Sequence, residues 1–129
     1  MATFSPPPGT ADIFESEARE WREIERVGAD VFSRYGYGEL RTPIFEYTEV
    51  FQRGLGDETE VVQKEMYTFN DKGERSITLR PEGTAGAARA FLEHGLFNEA
   101  LPQKFCYLIN CYRYEKPQAG RWREFQQFG

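Results

Sequence analysis

The segment from Tyr112 to Gly129, YRYEKPQAGRWREFQQFG, limits the possible folds more than any other stretch, because it reads as an antiparallel hairpin that dictates which side chains share a face. Residues Phe105 to Glu115 are rich in aromatic and β-favouring side chains, Lys116 to Gly120 supply the Pro and Gly of a turn, and Arg121 to Phe128 resume the strand. Successive side chains of a strand point to opposite faces. Arg113 and Glu115 therefore share one face of the outgoing strand, and Arg123, Phe125 and Gln127 share one face of the return. If the two faces coincide, they make a single wall.

Such a wall offers guanidinium groups for anionic oxygens, a carboxylate to accept from an amino group, a ring to stack on a base and an amide for a small polar ligand. That set suits a nucleotide. Taken alone, the pattern is more often that of a solvated hairpin with alternating charges.

Upstream, Pro6 to Pro8 and Gly9 predict an extended lead-in, with Thr10 or Asp12 placed to cap a following helix. From about Ile13 to Tyr35 the apolar residues Phe14, Ala18, Trp21, Ile24, Val27, Val31, Phe32 and Tyr35 recur at three- and four-residue steps. This predicts one helix with a core-facing stripe, ended by Gly36 at C′. Glu39 to Phe45 reads as a strand interrupted by Pro43, which cannot donate to a ladder. Tyr47 to Arg53 predicts a short helix. In GLGDETEVVQKEMYTF, Gly54, Gly56 and the acidic residues imply a mobile loop before a strand near Met66 to Phe69. A turn at NDKGE leads to a strand from Ser76 to Arg80, with Ser76, Thr78 and Arg80 on one face and Ile77 and Leu79 on the other. Pro81 stops that strand. Ala85 to Glu93 predicts a helix whose small residues allow close backbone approach, and the single histidine, His94, sits at its end without a chemical role.

The chain of 129 residues suffices for one domain with a core, and its 40% hydrophobic and 16% aromatic content argues against disorder. A formal charge of −5 argues against nucleic-acid binding by bulk electrostatics and leaves room for a local basic groove. Cys106 and Cys111 lie an odd number of positions apart on a predicted strand, so they face opposite ways and read as reduced packing residues. No Cys, His or Asp spacing suits a protein-held metal. Neither a signal segment nor a run of about 18 apolar residues occurs, so the expected location is the cytoplasm, with no membrane partner.

YRYEKPQAGRWREFQQFG, together with TLRPEGT, VVQKEMYTF and RYGYGELRTPIFEYTEVFQRG, resembles the histidyl-tRNA synthetase family of class II aminoacyl-tRNA synthetases. The resemblance covers nearly the whole chain. It implies an α+β fold, an antiparallel sheet flanked by helices, and a truncated catalytic domain over residues 1–129. Within it, motif 1 falls at about 31–45, the PEGT segment at 81–84 and motif 2 at about 105–129.

By the same resemblance, the chain is part of a ligase that activates L-histidine with ATP and Mg²⁺ to histidyl-adenylate and transfers histidine to tRNA(His), as a homodimer. Arg113 would be the catalytic group, neutralising the α-phosphate and the attacking carboxylate. Arg113, Glu115, Arg121 and Phe125 would bind ATP, with Arg121 at the γ-phosphate and Phe125 on adenine. Glu82, Gly83, Thr84, Arg113 and Gln127 would bind histidine, and Pro43 would lie at the dimer interface. Without the resemblance, Glu82 and Thr84 read as caps of an exposed helix start, and Pro43 as a strand breaker.

Two positions depart from the family pattern: Ile109-Asn110 stands where Gly-Pro is common, and Gln126 where His is frequent. By alternation Gln126 faces away from Gln127, so its change should touch packing rather than ligand. The later family segments, including motif 3 and the anticodon-binding domain, are not in the sequence. The alternative functions are a non-catalytic histidine sensor such as the ATP phosphoribosyltransferase regulatory subunit, which has no need of an ATP site, and a plain dimerisation module.

Overall fold

The computed structural model describes residues 3–129. It shows the expected mixture of helices and strands, and its strands fall into three hydrogen-bonded groups. Helix α1 spans Glu15–Arg34. Neither Thr10 nor Asp12 caps it: Thr10 instead bonds back to the Pro7 carbonyl through both its N–H and its hydroxyl, and Phe14 is the N-cap without a side-chain bond. The other end is as expected. Gly36, at φ 76°, donates to the Ser33 carbonyl, Tyr37 donates to Phe32, and the Phe32 and Tyr37 rings meet at 5.7 Å, the bond pattern and apolar contact of a Schellman motif.

The apolar stripe of α1 does not enter a core. No residue of the helix is buried, and Ile24, Val27 and Val31 stay about half exposed. The helix touches the rest of the molecule chiefly where Gly28 lies under the Phe128 ring: a Cβ at Gly28 would sit 2.8 Å from Phe128 Cζ. Phe32 adds a ring contact to Phe128 at 6.2 Å. Periodicity identified the helix correctly, but it cannot say whether the partner of an apolar face lies within the same chain.

The strand expected over Glu39 to Phe45 is split. β1 (Gly38–Glu39) pairs in parallel with β5 (Phe105–Cys106), whereas β2 (Phe45–Tyr47) pairs antiparallel with β4 (Ser76–Leu79). Pro43 lies in the gap, where its missing N–H costs no ladder bond. Helix α2 (Thr48–Leu55) follows, and part of the acidic stretch expected to be loop winds into a π-helical turn, Val61–Glu65. β3 (Thr68–Asn70) completes the sheet in the order β2-β4-β3.

As the central strand, β4 is covered on both faces, so its polar face is buried instead of wet. Thr78 is fully buried, and its hydroxyl bonds to those of Thr48 and Thr68, each at 2.9 Å; Ser76 adds a 2.6 Å contact to Thr48. Hydroxyls that satisfy one another make that burial tolerable. Helix α3 (Thr84–Glu93) ends at Gly95, which adopts a left-handed φ of 64°. Its small residues approach α2 and β2: a Cβ on Gly54 of α2 would meet Ala85 Cβ at 2.7 Å, and Gly86 leaves room for Thr42 and Glu46. Arg89 then joins Glu46 to Glu93. Among the described residues, no helix is long and apolar enough to cross a membrane.

Candidate active site

The hairpin forms as the alternation requires. β6 (Leu108–Tyr112) pairs antiparallel with β7 (Glu124–Phe128), setting Ile109 opposite Gln127 and Cys111 opposite Phe125. Beyond the strand end, the Arg113 N–H donates to the Arg123 carbonyl at 2.9 Å, which continues the same register. The two predicted faces coincide. Arg113, Arg123, Phe125 and Gln127 lie on one wall, with Cys111 and Ile109 between them. The tip is tighter than the expected Lys116 to Gly120 turn: Arg121 N–H donates to the Gln118 carbonyl, and Gly120 takes a φ of 76°.

The Pro81–Thr84 turn faces this wall and is bonded to it at three points. Arg113 Nε donates to the Pro81 carbonyl at 2.8 Å, the Gly83 N–H donates to Gln127 Oε1 at 2.8 Å, and the Thr84 and Tyr107 hydroxyls meet at 3.0 Å. Gly83 has a steric reason to be glycine. A Cβ there would collide with the Tyr107 ring and reach Ile109 Cδ1 at 2.8 Å. The structure therefore brings Glu82, Gly83, Thr84, Arg113 and Gln127 together.

Glu82 is 8% exposed, and its two carboxylate oxygens accept from the Thr84 and Ala85 N–H groups at 2.6 and 2.8 Å. It thus caps α3 from within a buried turn rather than at an exposed helix start. Such a cap contributes about 1 kcal/mol. Each oxygen retains a second acceptor site for a ligand.

Arg113 stacks over the Phe125 ring at 5.2 Å, while its Nη groups make no hydrogen bond among the described residues. They are available to anionic oxygens. Arg123 is held behind it, over the Tyr114 ring at 4.1 Å and bonded through Nε to the Glu115 carbonyl at 2.9 Å. Glu115 is partly buried near this end, whereas Arg121 is exposed at the hairpin tip and is not part of the wall.

Both cysteines are free and buried on opposite faces, in agreement with the packing role expected of them. Burial pushes the Cys111 thiol from 9.0 up to about 11, against the opposing pull of Arg80 and Arg113, and its Sγ lies 3.8 Å from Gln127 Oε1. It is an uncharged neighbour of the site, not a nucleophile.

A separate cleft of about 880 Å³ opens on the back of the hairpin, between it and α1, lined in part by Arg22, Phe32, Tyr37, Asn110 and Gln126. Arg113, Arg123, Phe125 and Gln127 do not line it, although Tyr107 and Ile109 do. Gln126 faces this cleft, as its alternation predicts, and its Oε1 is buried without a hydrogen-bond partner among the described residues. Asn110 makes a cross-strand bond to Glu124 at 2.9 Å.

Sequence reasoning missed Tyr107, Arg80 and Gly9. Tyr107 was accessible to it, since counting back by twos from Arg113 through Cys111 and Ile109 arrives there. Arg80 carries no local signal of burial, yet it is 8% exposed. Gly9 was read as lead-in, but its carbonyl accepts from the N–H groups of Arg123 and Glu124 at 2.8 and 3.2 Å.

Comparison with known proteins places this geometry. The family described as Histidyl-tRNA synthetase matches residues 9–129. The histidine–tRNA ligase of Caldicellulosiruptor bescii is 58% identical over 123 residues, covering 95% of this chain and 29% of that protein. The crystal structure of apo S. aureus histidyl-tRNA synthetase superposes with a TM-score of 0.80 at 41% identity, over 98% of this chain and 32% of that one. A Bacillus halodurans protein titled ATP phosphoribosyltransferase regulatory subunit/histidyl-tRNA synthetase gives a TM-score of 0.81 at 25% identity, over 99% and 32%. The chain thus spans under a third of the length of each of these three proteins. Since the family match takes in α1, the Pro81–Thr84 turn and the whole hairpin, the chain belongs to the histidyl-tRNA synthetase family.

Proposed function

We propose that the protein carrying this chain is a histidine–tRNA ligase, and that the wall and the Pro81–Thr84 turn are the ATP and histidine halves of its adenylation site. The supporting observation is the bond from Arg113 Nε to the Pro81 carbonyl at 2.8 Å, which puts a guanidinium with free Nη groups beside both halves. The reaction joins the histidine carboxylate to the α-phosphorus of ATP and expels pyrophosphate; histidine then passes to tRNA(His). Catalysis here is positioning plus charge neutralisation.

Arg113 bridges the attacking carboxylate and the α-phosphate with paired donors that a Lys lacks. Glu82 and Thr84 hold the α-ammonium, the Gly83 backbone lets the ligand approach closely, and Gln127 hydrogen-bonds the amino acid. Phe125 supplies the adenine platform, Glu115 the adenine end and Arg121 the γ-phosphate, for which the exposed hairpin tip must fold inward over the nucleotide. Mg²⁺ arrives with ATP. The reaction is placed in the cytoplasm, and the working unit is a homodimer, with the exposed Pro43 segment facing the partner.

The likeness to a protein titled as regulatory subunit as well as synthetase gives a second reading, a histidine sensor. The presence of Arg113, Glu115, Arg121 and Phe125 favours the ligase, since a sensor does not need an ATP site. The test is histidine-dependent ATP–pyrophosphate exchange by the full-length protein. Arg113→Ala should lower it by about 10²-fold or more, the scale for losing one preorganised charge stabiliser. Histidine binding with no exchange in the unsubstituted protein would establish the sensor instead.

A further inference from the structure

Residue 80 is where the β2-β4-β3 sheet meets the β6-β7 hairpin. Its N–H donates to the Ile44 carbonyl and its carbonyl accepts from Tyr112 N–H, both at 2.9 Å. Its side chain adds three bonds: Nε to the Asn110 carbonyl at 2.6 Å, and Nη1 to the carbonyls of Thr42 at 3.1 Å and Pro43 at 3.5 Å. Arg80 is 8% exposed and has no carboxylate partner among the described residues. A buried cation is costly unless its donors are met. Here backbone carbonyls from two distant segments take Nε and Nη1, which a planar fork of fixed geometry can do and a single ammonium cannot.

We propose that Arg80 is a positioning residue for adenylate formation: it locks the Thr42–Pro43 segment and the hairpin into one frame and so sets where Arg113 stands against the Pro81–Thr84 turn. The proposal rests on the ligase reading. Its physical basis is adjacency. Arg80 precedes Pro81, whose carbonyl receives Arg113 Nε, so any displacement at residue 80 passes directly to the catalytic guanidinium. A shift of about 1 Å at such a site costs on the order of 10²-fold in rate.

The experiment compares Arg80→Lys, Arg80→Gln and Arg113→Ala in the full-length protein, with rates expressed per active site titrated by adenylate burst. Arg80→Lys is expected to lose about 10²-fold in kcat for pyrophosphate exchange, with much smaller changes in the KM for histidine and ATP, and to be no better than Arg80→Gln. A wild-type kcat per active site in Arg80→Lys, or a loss that only follows the unfolded fraction, would overturn the proposal. If Arg113→Ala is also without effect, the ligase reading itself fails and the Arg80 role falls with it. Should the Arg80 variants not fold, native-state hydrogen exchange on the unsubstituted protein decides: the Arg80 and Tyr112 amides must open in one event. Opening of Tyr112 while Arg80 stays protected would refute a shared frame.

Discussion

Gln127 Oε1 accepts from the Gly83 backbone N–H at 2.8 Å, so the amide of the last strand is oriented by the turn it faces, with its NH₂ group left for other partners. One hydrogen bond thereby links the two halves of the candidate site and fixes the sense in which Gln127 can address a ligand.

Removing that amide should be felt by histidine before ATP. Gln127→Ala is expected to raise the KM for histidine about tenfold, the worth of a hydrogen bond of about 1.4 kcal/mol, with the ATP requirement nearly unchanged. Exchange kinetics at varied histidine and varied ATP measure both. A change confined to ATP would reassign Gln127.

Glu82→Gln should cost stability as well as affinity. The carboxylate accepts from two N–H groups, and an amide would turn one acceptor into a donor facing a donor. A loss of about 1–3 kcal/mol is expected by denaturant titration, together with a raised histidine requirement. Unchanged stability would mean that the turn rearranges freely.

Gly83→Ala places a methyl group against Tyr107 and Ile109, both on the hairpin. Overpacking of this kind costs about 1–3 kcal/mol. The Thr84–Tyr107 contact should break first, read as faster hydrogen exchange at the start of α3. Equal exchange in the variant would show that the two walls can part without cost.

Alkaline pH should destabilise the fold through Cys111. The unfolded thiol ionises near 9.0 and the folded one at about 11, so its stabilisation is complete below pH 9 and is lost as pH rises through that window. The slope approaches about 1.4 kcal/mol per pH unit for one proton. Thermal melts between pH 8 and 11 should show a shallower decline in Cys111→Ser, although burial also raises Cys106 and Tyr112 and leaves a residual slope.

The uncovered stripe on α1 predicts self-association of the 129-residue chain, seen as concentration-dependent mass in sedimentation. Charged replacements at Val27 and Val31 should shift it toward monomer.

The hairpin was readable because a period of two is rigid: once Arg113 and Phe125 were assigned to strands, pairing parity placed Gln127 and Cys111 without further information. The Glu39 to Phe45 segment was misread because Pro43 signals a ladder's interruption but not that the two flanks serve different partners. Nor could periodicity assign the α1 stripe a destination. Arg80 was invisible for a related reason, since its bonds go to backbone carbonyls, and carbonyls carry no sequence.

The Gly9 carbonyl is shared by the amides of Arg123 and Glu124, which lie far from it in sequence. A closure over so long a stretch carries a large loop entropy and is held by only two hydrogen bonds, so local opening frees the far side of Arg123 at little cost while the β6-β7 ladder keeps its register.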